Sequence, residues 1–148
     1  MKKLLALAIL VAATAAVTWS FAGGFPNRVH YIHHDKVTAA FVKGERLIED
    51  EGLTVIANRG KQRDAEIHAK TNHVFVIVDG EADFVTGGTV IDPRDTAPGQ
   101  IRGSGIEGGT VHRLTKGDVI TIPAHTPHQW RDTSKTGSVG YYAVNIEQ

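Results

Sequence analysis

Four side chains in this sequence are of the types that bind first-row transition metals. Glu66 and His68 lie two residues apart in a strand-like segment, so both side chains leave the strand on the same face. His73 begins the next strand-like run, and His128 lies far along the chain. Neutral imidazole and carboxylate are the ligands that such ions take in rigid sites with one open position. Spacing alone is weak evidence, because a Glu-x-His pair is more often part of a solvent-facing strand edge.

Holding these groups together requires several strands. The chain after residue 50 alternates short apolar runs with turn-forming residues such as Asn58-Arg59-Gly60 and Asp79-Gly80. This pattern predicts an all-β sandwich or barrel. The predicted strands are Leu53–Ala57, Ala65–Ala69, Val74–Val78, Ala82–Val85, Val111–Leu114, Val119–Ile122 and Val139–Ile146.

Two connections decide whether the four groups can meet. A hairpin over residues 69–72 would bring His73 beside Glu66 and His68, and closure of the barrel would bring His128 to the same point. The Gly- and Pro-rich stretch 91–109 is too long for a hairpin turn and predicts a surface loop over a cavity mouth.

A short helix is predicted before the first strand. Asp35 can cap its N-terminus, Val37, Ala40 and Phe41 share one face, and Gly44 can end it.

The N-terminus and the composition limit where and how the protein acts. Residues 1–22 combine Lys2 and Lys3, an apolar run and small residues before a cut site, which is typical of a secretory signal peptide. The run is shorter than the roughly 20 apolar residues of a membrane span, so we expect cleavage over an uncleaved anchor. The remaining residues 23–148 then form a single periplasmic or secreted domain with no stable membrane anchor.

The 148 residues include no Cys, which excludes disulfides and thiolate sites. They include 16 basic and 16 acidic residues without a basic cluster, which argues against a nucleic-acid-binding protein.

Two segments carry a family resemblance. Gly60-x5-Glu66-x-His68-x4-His73-x6-Gly80 resembles the first cupin motif, G-x5-H-x-H-x3,4-E-x6-G. Gly117-x5-Pro123-x-His125-x2-His128-x3-Asp132 resembles the second, G-x5-P-x-G-x2-H-x3-N. The resemblance covers about residues 53–147. It implies a double-stranded β-helix (jelly-roll) barrel with a metal bound inside one end.

Two of the four ligand positions have exchanged their types. Glu66 stands where the family has its first His, and His73 stands where it has Glu, so three imidazoles and one carboxylate are kept. The resemblance therefore implies one divalent transition metal (Fe, Mn, Ni, Cu or Zn) on Glu66, His68, His73 and His128. His125 replaces a Gly and is interpreted as a turn residue, with a role beside the metal or substrate as the alternative.

For function, the resemblance implies an exported cupin that acts on a small organic molecule by dioxygenase, isomerase or lyase-like chemistry. One alternative is a non-catalytic cupin that binds a sugar or other metabolite, and another is a metal-free structural barrel. Cupins commonly pair, which implies a homodimer.

The remaining histidines are better explained without function. His30, His33 and His34 precede the predicted helix and are interpreted as a solvated segment, with a second metal site as the alternative. Two adjacent pairs on later strands can each place only one member inside the barrel: His112 with Arg113, and Tyr141 with Tyr142.

Overall fold

The structure, a computed structural model, describes residues 25–61, 63–131 and 137–148. The signal peptide predicted over residues 1–22 lies outside the described residues. The described chain begins with a helix and continues in β-strands, whose bounds are α1 His34–Lys43, β1 Arg46–Asp50, β2 Leu53–Gly60, β3 Ala65–His68, β4 Thr71–Asp79, β5 Glu81–Thr86, β6 Thr89–Ile91, β7 Arg94–Ala97, β8 Gln100–Gly103, β9 Gly105–Glu107, β10 Thr110–Thr115, β11 Val119–Ile122, β12 His128–Trp130 and β13 Val139–Glu147.

These strands form two antiparallel sheets and a small strand pair. The first sheet has the order β1-β2-β13-β4-β11, the second has the order β10-β5-β12-β3-β8-β7, and β6 pairs with β9. Strands distant in sequence are neighbours, as β12 between β3 and β5 shows. This arrangement confirms the predicted all-β jelly-roll barrel with a short N-terminal helix.

An aromatic core fills the space between the two sheets. Phe75 on β4, Phe84 on β5, Trp130 on β12 and Tyr141 on β13 are all buried. The ring centroids of Phe84 and Trp130 are 4.5 Å apart, and those of Phe75 and Tyr141 are 4.9 Å apart. The next inward residue on β4 after Phe75 is His73, whose ring centroid lies 5.5 Å from that of Phe75. The apolar core therefore ends directly at the predicted site.

The helix begins at a different cap from the predicted one. His33, not Asp35, is the N-cap, since its backbone is extended (φ −62°, ψ 145°) and its Nδ1 accepts the Asp35 N–H at 3.4 Å. Asp35 lies inside the first turn, where a carboxylate still favours the helix dipole. Gly44 ends the helix as predicted, in the left-handed conformation at φ 74°.

The stretch 91–109 is not a surface loop, contrary to prediction. It contains β7, β8 and β9, which are three or four residues long, and β7 is exposed throughout. Strands this short and polar leave too little alternation to be read from sequence. The predicted turn over residues 58–60 is also wrong, because these residues extend β2 by pairing with β13.

No hairpin connects the two strands that carry the first three candidate ligands. β3 belongs to the second sheet and β4 to the first, so residues 69–70 cross between sheets. Glu66 and His68 therefore meet His73 across the barrel interior and not along one sheet.

Within the described residues, no helix has both the length and the apolar character that a membrane span needs.

Candidate metal centre

Three histidines from three strands converge inside the barrel. His68 lies on β3, His73 on β4 and His128 on β12. Their ring centroids are 4.9 to 5.5 Å apart. Each offers one ring nitrogen, and these nitrogens all lie within 4.8 Å of one another. Such a group of nitrogens has the composition of a transition-metal site.

His73 has one ring nitrogen engaged and the other free. Its Nδ1 lies 2.8 Å from Asn145 Oδ1, and because an amide oxygen only accepts, Nδ1 carries the proton. Nε2 therefore holds a lone pair, yet it is buried and has no hydrogen-bond partner. Among the described residues, no other buried side-chain nitrogen or oxygen lacks a partner. A buried, unpartnered acceptor is costly, and a bound cation would satisfy it.

His128 is oriented in the same way. Its Nδ1 donates to the Thr126 carbonyl oxygen at 2.9 Å, so Nε2 is again the free acceptor. Burial lowers the pKa of His128 to about 4 and also lowers the pKa of His73. Both imidazoles are therefore neutral at pH 7, which is the state that binds a metal.

Glu66, the fourth predicted ligand, lies outside the group of ligand atoms that are within 4.8 Å of one another and contacts only His68 among the three histidines. Its Oε2 is 3.3 Å from His68 Nε2, and its Oε1 forms a 2.6 Å ion pair with Arg102. Burial would raise the pKa of Glu66, but the His68 hydrogen bond and the Arg102 charge outweigh burial and lower this pKa to about 2. The carboxylate is therefore ionised, with one oxygen toward the histidines and one toward Arg102.

The cluster opens into a cavity of about 150 Å³. A cavity of this size accommodates a benzene-sized molecule. The rest of the cavity wall is partly apolar and partly polar. Its apolar residues include Ile56, Phe75 and Ala143, and its polar residues include Asn58, Arg63 and Tyr141. The site thus has room for a small organic ligand beside the imidazoles.

His125 is a turn residue, as interpreted from the sequence. It is exposed, its φ is 65°, and its backbone N–H donates to the His68 carbonyl oxygen at 2.7 Å. A left-handed φ is what glycine adopts without strain, which explains why the motif has Gly at this position. Asp132, the last residue matched to the motif, lies outside the described residues.

The other histidines stay apart from the cluster. His33, His34 and Asp35 are exposed and offer ligand atoms within 4.8 Å of one another, so the alternative of a second metal site there stays a prediction. His30 hydrogen-bonds Asp50 at 2.8 Å. On β10, His112 Nε2 lies 2.8 Å from Thr86 Oγ1, and the neighbouring Arg113 pairs with carboxylates.

Sequence reasoning missed two residues that orient the candidate ligands. Asn145 orients His73, and the sequence contained a sign of this role. Alternation along β13 places Asn145 on the same face as the buried residues Tyr141 and Ala143, where a polar amide is expected to have a hydrogen-bond partner. Arg102 holds Glu66 from β8, a strand that was interpreted as loop, so its direction could not be predicted.

Comparisons with known proteins agree on the architecture. No protein-family model and no curated protein sequence matches the chain. A solved structure from Bacillus halodurans is similar over 85% of this chain and 86% of its own, at 16% identity and a TM-score of 0.58. An uncharacterized conserved protein with a double-stranded beta-helix domain from Klebsiella pneumoniae is 15% identical, with 70% of this chain and 75% of that chain covered and a TM-score of 0.51.

A third similar structure is Fe(II)-HppE with the alternative substrate (S)-1-HPP. It is 19% identical, with a TM-score of 0.51 over 70% of this chain and 48% of that chain. The present chain therefore spans about half the length of that protein. Such likenesses concern the fold, and together with the sheet order they show that this chain has a double-stranded β-helix fold.

Proposed function

We propose that this protein is a metal-dependent cupin that acts on a small organic molecule. The observation that carries the proposal is the buried Nε2 of His73, which lacks a partner and lies beside two further imidazoles. An apolar barrel gains nothing from an orphaned acceptor at that place, whereas a bound cation would use it. One of the structures with a similar fold is named Fe(II)-HppE, and this name states that it contains iron.

The ligands we propose are Nε2 of His68, His73 and His128, with Glu66 Oε2 as the fourth. His68 Nε2 donates to Glu66 Oε2 in this structure, so metal binding at His68 would release that proton. The protonated Nδ1 atoms of His73 and His128 are fixed by carbonyl oxygens, so both rings present Nε2 inward. Arg102 leaves one carboxylate oxygen of Glu66 for the cluster. Three imidazoles and one carboxylate suit Fe, Mn, Ni, Cu or Zn.

A metal bound here would supply Lewis-acid or redox chemistry at a position open to the cavity. The chain's own residues prepare that position in two ways. Phe75 forms the apolar side of the cavity wall, and water that is excluded there cannot screen charge on a bound ligand. Neutral imidazoles leave a divalent ion with one carboxylate at net charge +1, which favours an anionic ligand. The open cavity favours an enzyme over a closed binding or structural site.

Export and pairing complete the proposal. The sequence of residues 1–22 supports secretion to the periplasm or the medium. Val29, Tyr31 and Val42 are exposed to 95, 80 and 79%, and three such apolar side chains within 14 residues of sequence support a homodimer formed through the N-terminal segment. Sedimentation analysis should give twice the monomer mass, and a monomer at all concentrations contradicts the pairing.

Elemental analysis tests the metal. We expect about one transition metal per chain and loss of binding in His68→Ala, His73→Ala and His128→Ala. His33→Ala is the matched control, because His33 is a histidine outside the cluster, and it should keep the metal. A wild-type protein that stays metal-free after addition of Fe, Mn, Ni, Cu and Zn in turn refutes the proposal.

A second measurement separates enzyme from binding protein. Mn(II)-loaded protein with an exchangeable position should enhance the relaxation of water protons, and a cavity ligand should reduce that enhancement. No enhancement in a protein that holds Mn(II) indicates a closed site, as in the non-catalytic or structural alternatives.

A further inference from the structure

Among the residues that the structure describes, one exposed arginine at the cavity, Arg63, has no counter-ion. Arg63 lines the cavity together with Glu66, His128 and Tyr141. The acidic residues beside it are already engaged, because Asp64 pairs with Arg94 and Glu66 pairs with Arg102. Among the described residues, Arg63 forms no side-chain ion pair or hydrogen bond.

Its counterparts elsewhere in the described chain do have side-chain partners. Arg28, Arg46, Arg59, Arg94, Arg102 and Arg113 contact carboxylates, and Arg131 contacts Gln129 and the Ile106 carbonyl oxygen.

The backbone of Arg63 is nonetheless fixed. Its N–H donates to the Trp130 carbonyl oxygen at 3.2 Å, and its carbonyl oxygen accepts from buried Gln129 Nε2 at 2.9 Å. The Arg63 side chain itself is exposed to solvent and extends from this fixed backbone position beside the cavity.

Tyr141 places a hydroxyl in the same wall. Its oxygen accepts from Asn58 Nδ2 at 3.1 Å and from Trp130 Nε1 at 3.2 Å. Because both partners are donors, the hydroxyl proton is left to donate into the cavity. Burial raises the pKa of Tyr141 and the positive charge of Arg63 opposes that rise, so the two groups act on one another. Gly60 makes the arrangement possible, since a Cβ there would lie 2.9 Å from Tyr141 Cε1.

We propose that Arg63 and Tyr141 form an anion-binding subsite for the carboxylate of a small organic acid. The planar guanidinium matches a carboxylate with two parallel N–H donors, and the tyrosine adds a third donor. Ile56, Phe75 and Ala143 provide an apolar wall of the cavity for the carbon skeleton. The ligand would lie between this subsite and the histidines. This substrate class rests on the proposed function, although the subsite itself needs no metal.

The test is a titration followed by the Trp130 indole N–H resonance, because this group donates to the Tyr141 oxygen. The probes are acetate, its neutral analogue acetamide and inorganic phosphate, each added to the zinc-loaded and the metal-free full chain. We expect acetate to bind both forms, and Arg63→Gln to weaken it about 10- to 100-fold, the range for hydrogen bonds to charged groups. Arg63→Lys keeps the positive charge and should therefore retain part of the affinity for acetate. Its binding also shows that the protein tolerates a substitution at position 63.

Arg59→Gln is the matched control. It removes the same charge from an exposed arginine paired with Asp79 and should leave acetate binding unchanged. The subsite is refuted if acetamide binds as well as acetate, if Arg63→Gln binds acetate normally, or if phosphate binds more tightly than acetate.

Metal content measured on the same samples keeps the two proposals apart. Acetate binding that depends on Arg63 in a chain unable to hold metal supports the subsite and refutes the proposed function. Normal metal content without discrimination between acetate and acetamide refutes the subsite alone.

Discussion

At the scale of residues, the site depends on which nitrogen of each imidazole is free. Asn145 and the Thr126 carbonyl oxygen fix the protons of His73 and His128 on Nδ1, at 2.8 and 2.9 Å. Compared with the cupin motif that the sequence resembles, the donor types are the same, but the carboxylate stands on β3 instead of β4. On β3 it meets Arg102 of the neighbouring strand β8. This position therefore gives the carboxylate a cationic partner of its own.

Removal of the Asn145 amide should weaken metal binding while leaving all ligands in place. In Asn145→Ala, His73 loses the acceptor that orients its ring, and partners of this kind are worth about 10- to 100-fold in metal affinity. Competition with a chelator of known affinity measures the change. Asn145→Asp keeps an acceptor oxygen and should bind at least as tightly as wild type. Equal affinity in wild type and Asn145→Ala would show that this contact does not orient the ring.

At the scale of elements, the strands built from apolar runs were predictable, whereas the short strands of polar residues were not. The predicted strand over residues 119–122 matches β11, and the predicted strands around residues 75 and 143 fall within β4 and β13. These segments are mostly apolar runs beside turn-forming residues, and Val74–Val78 is apolar at every position, which is typical of a buried strand. β7 has no buried residue, and β12 is buried throughout, so neither shows alternation.

The assignment of strands to sheets was also beyond sequence reasoning. Residues 69–72 have the length of a hairpin turn, yet β3 pairs with β8 and β12, which come from distant parts of the chain. Local spacing does not reveal such pairings. The four candidate ligands could nevertheless be named, because the spacing within each motif-like segment identifies the ligand positions, however the strands are connected.

Two glycines two residues apart test the packing of β8 against the small strand pair. A Cβ at Gly103 would lie 2.2 Å from Val90 Cγ1 and 2.3 Å from the Ile91 carbonyl oxygen, whereas at Gly105 it would meet Ile91 Cδ1 at 3.6 Å. We expect Gly103→Ala to lower the free energy of unfolding by about 1–3 kcal/mol or more, because backbone must move. Gly105→Ala should change it by less than about 1 kcal/mol. Urea unfolding measures both, and equal losses would contradict the observed packing.

At the scale of the whole molecule, the buried histidines link stability to pH. Folded His128 stays neutral down to about pH 4, because burial lowers its pKa, whereas in the unfolded chain it takes up a proton near pH 6.5. Between these values the unfolded state binds more protons, so stability is fully present above pH 6.5 and falls as the pH drops to 4. The lowered pKa of His73 acts in the same direction. Glu66 adds a loss only below its ordinary pKa of 4.5.

We therefore expect the metal-free protein to lose about 3 kcal/mol of unfolding free energy through His128 between pH 7 and pH 4, at about 1.4 kcal/mol for each pKa unit. Urea unfolding in the presence of a chelator measures this loss. His128→Gln should show a shallower dependence on pH over the same range. The same slope in both proteins would mean that His128 is not the group that titrates.

The most direct test of the account is the position of a metal ion in a crystal of the metal-loaded protein, located by anomalous scattering at its absorption edge. We predict one strong peak in the barrel, about 2.0–2.2 Å from Nε2 of His68, His73 and His128. A peak only beside His33 and His34, or a barrel without one in crystals that contain the metal, would contradict the proposed centre.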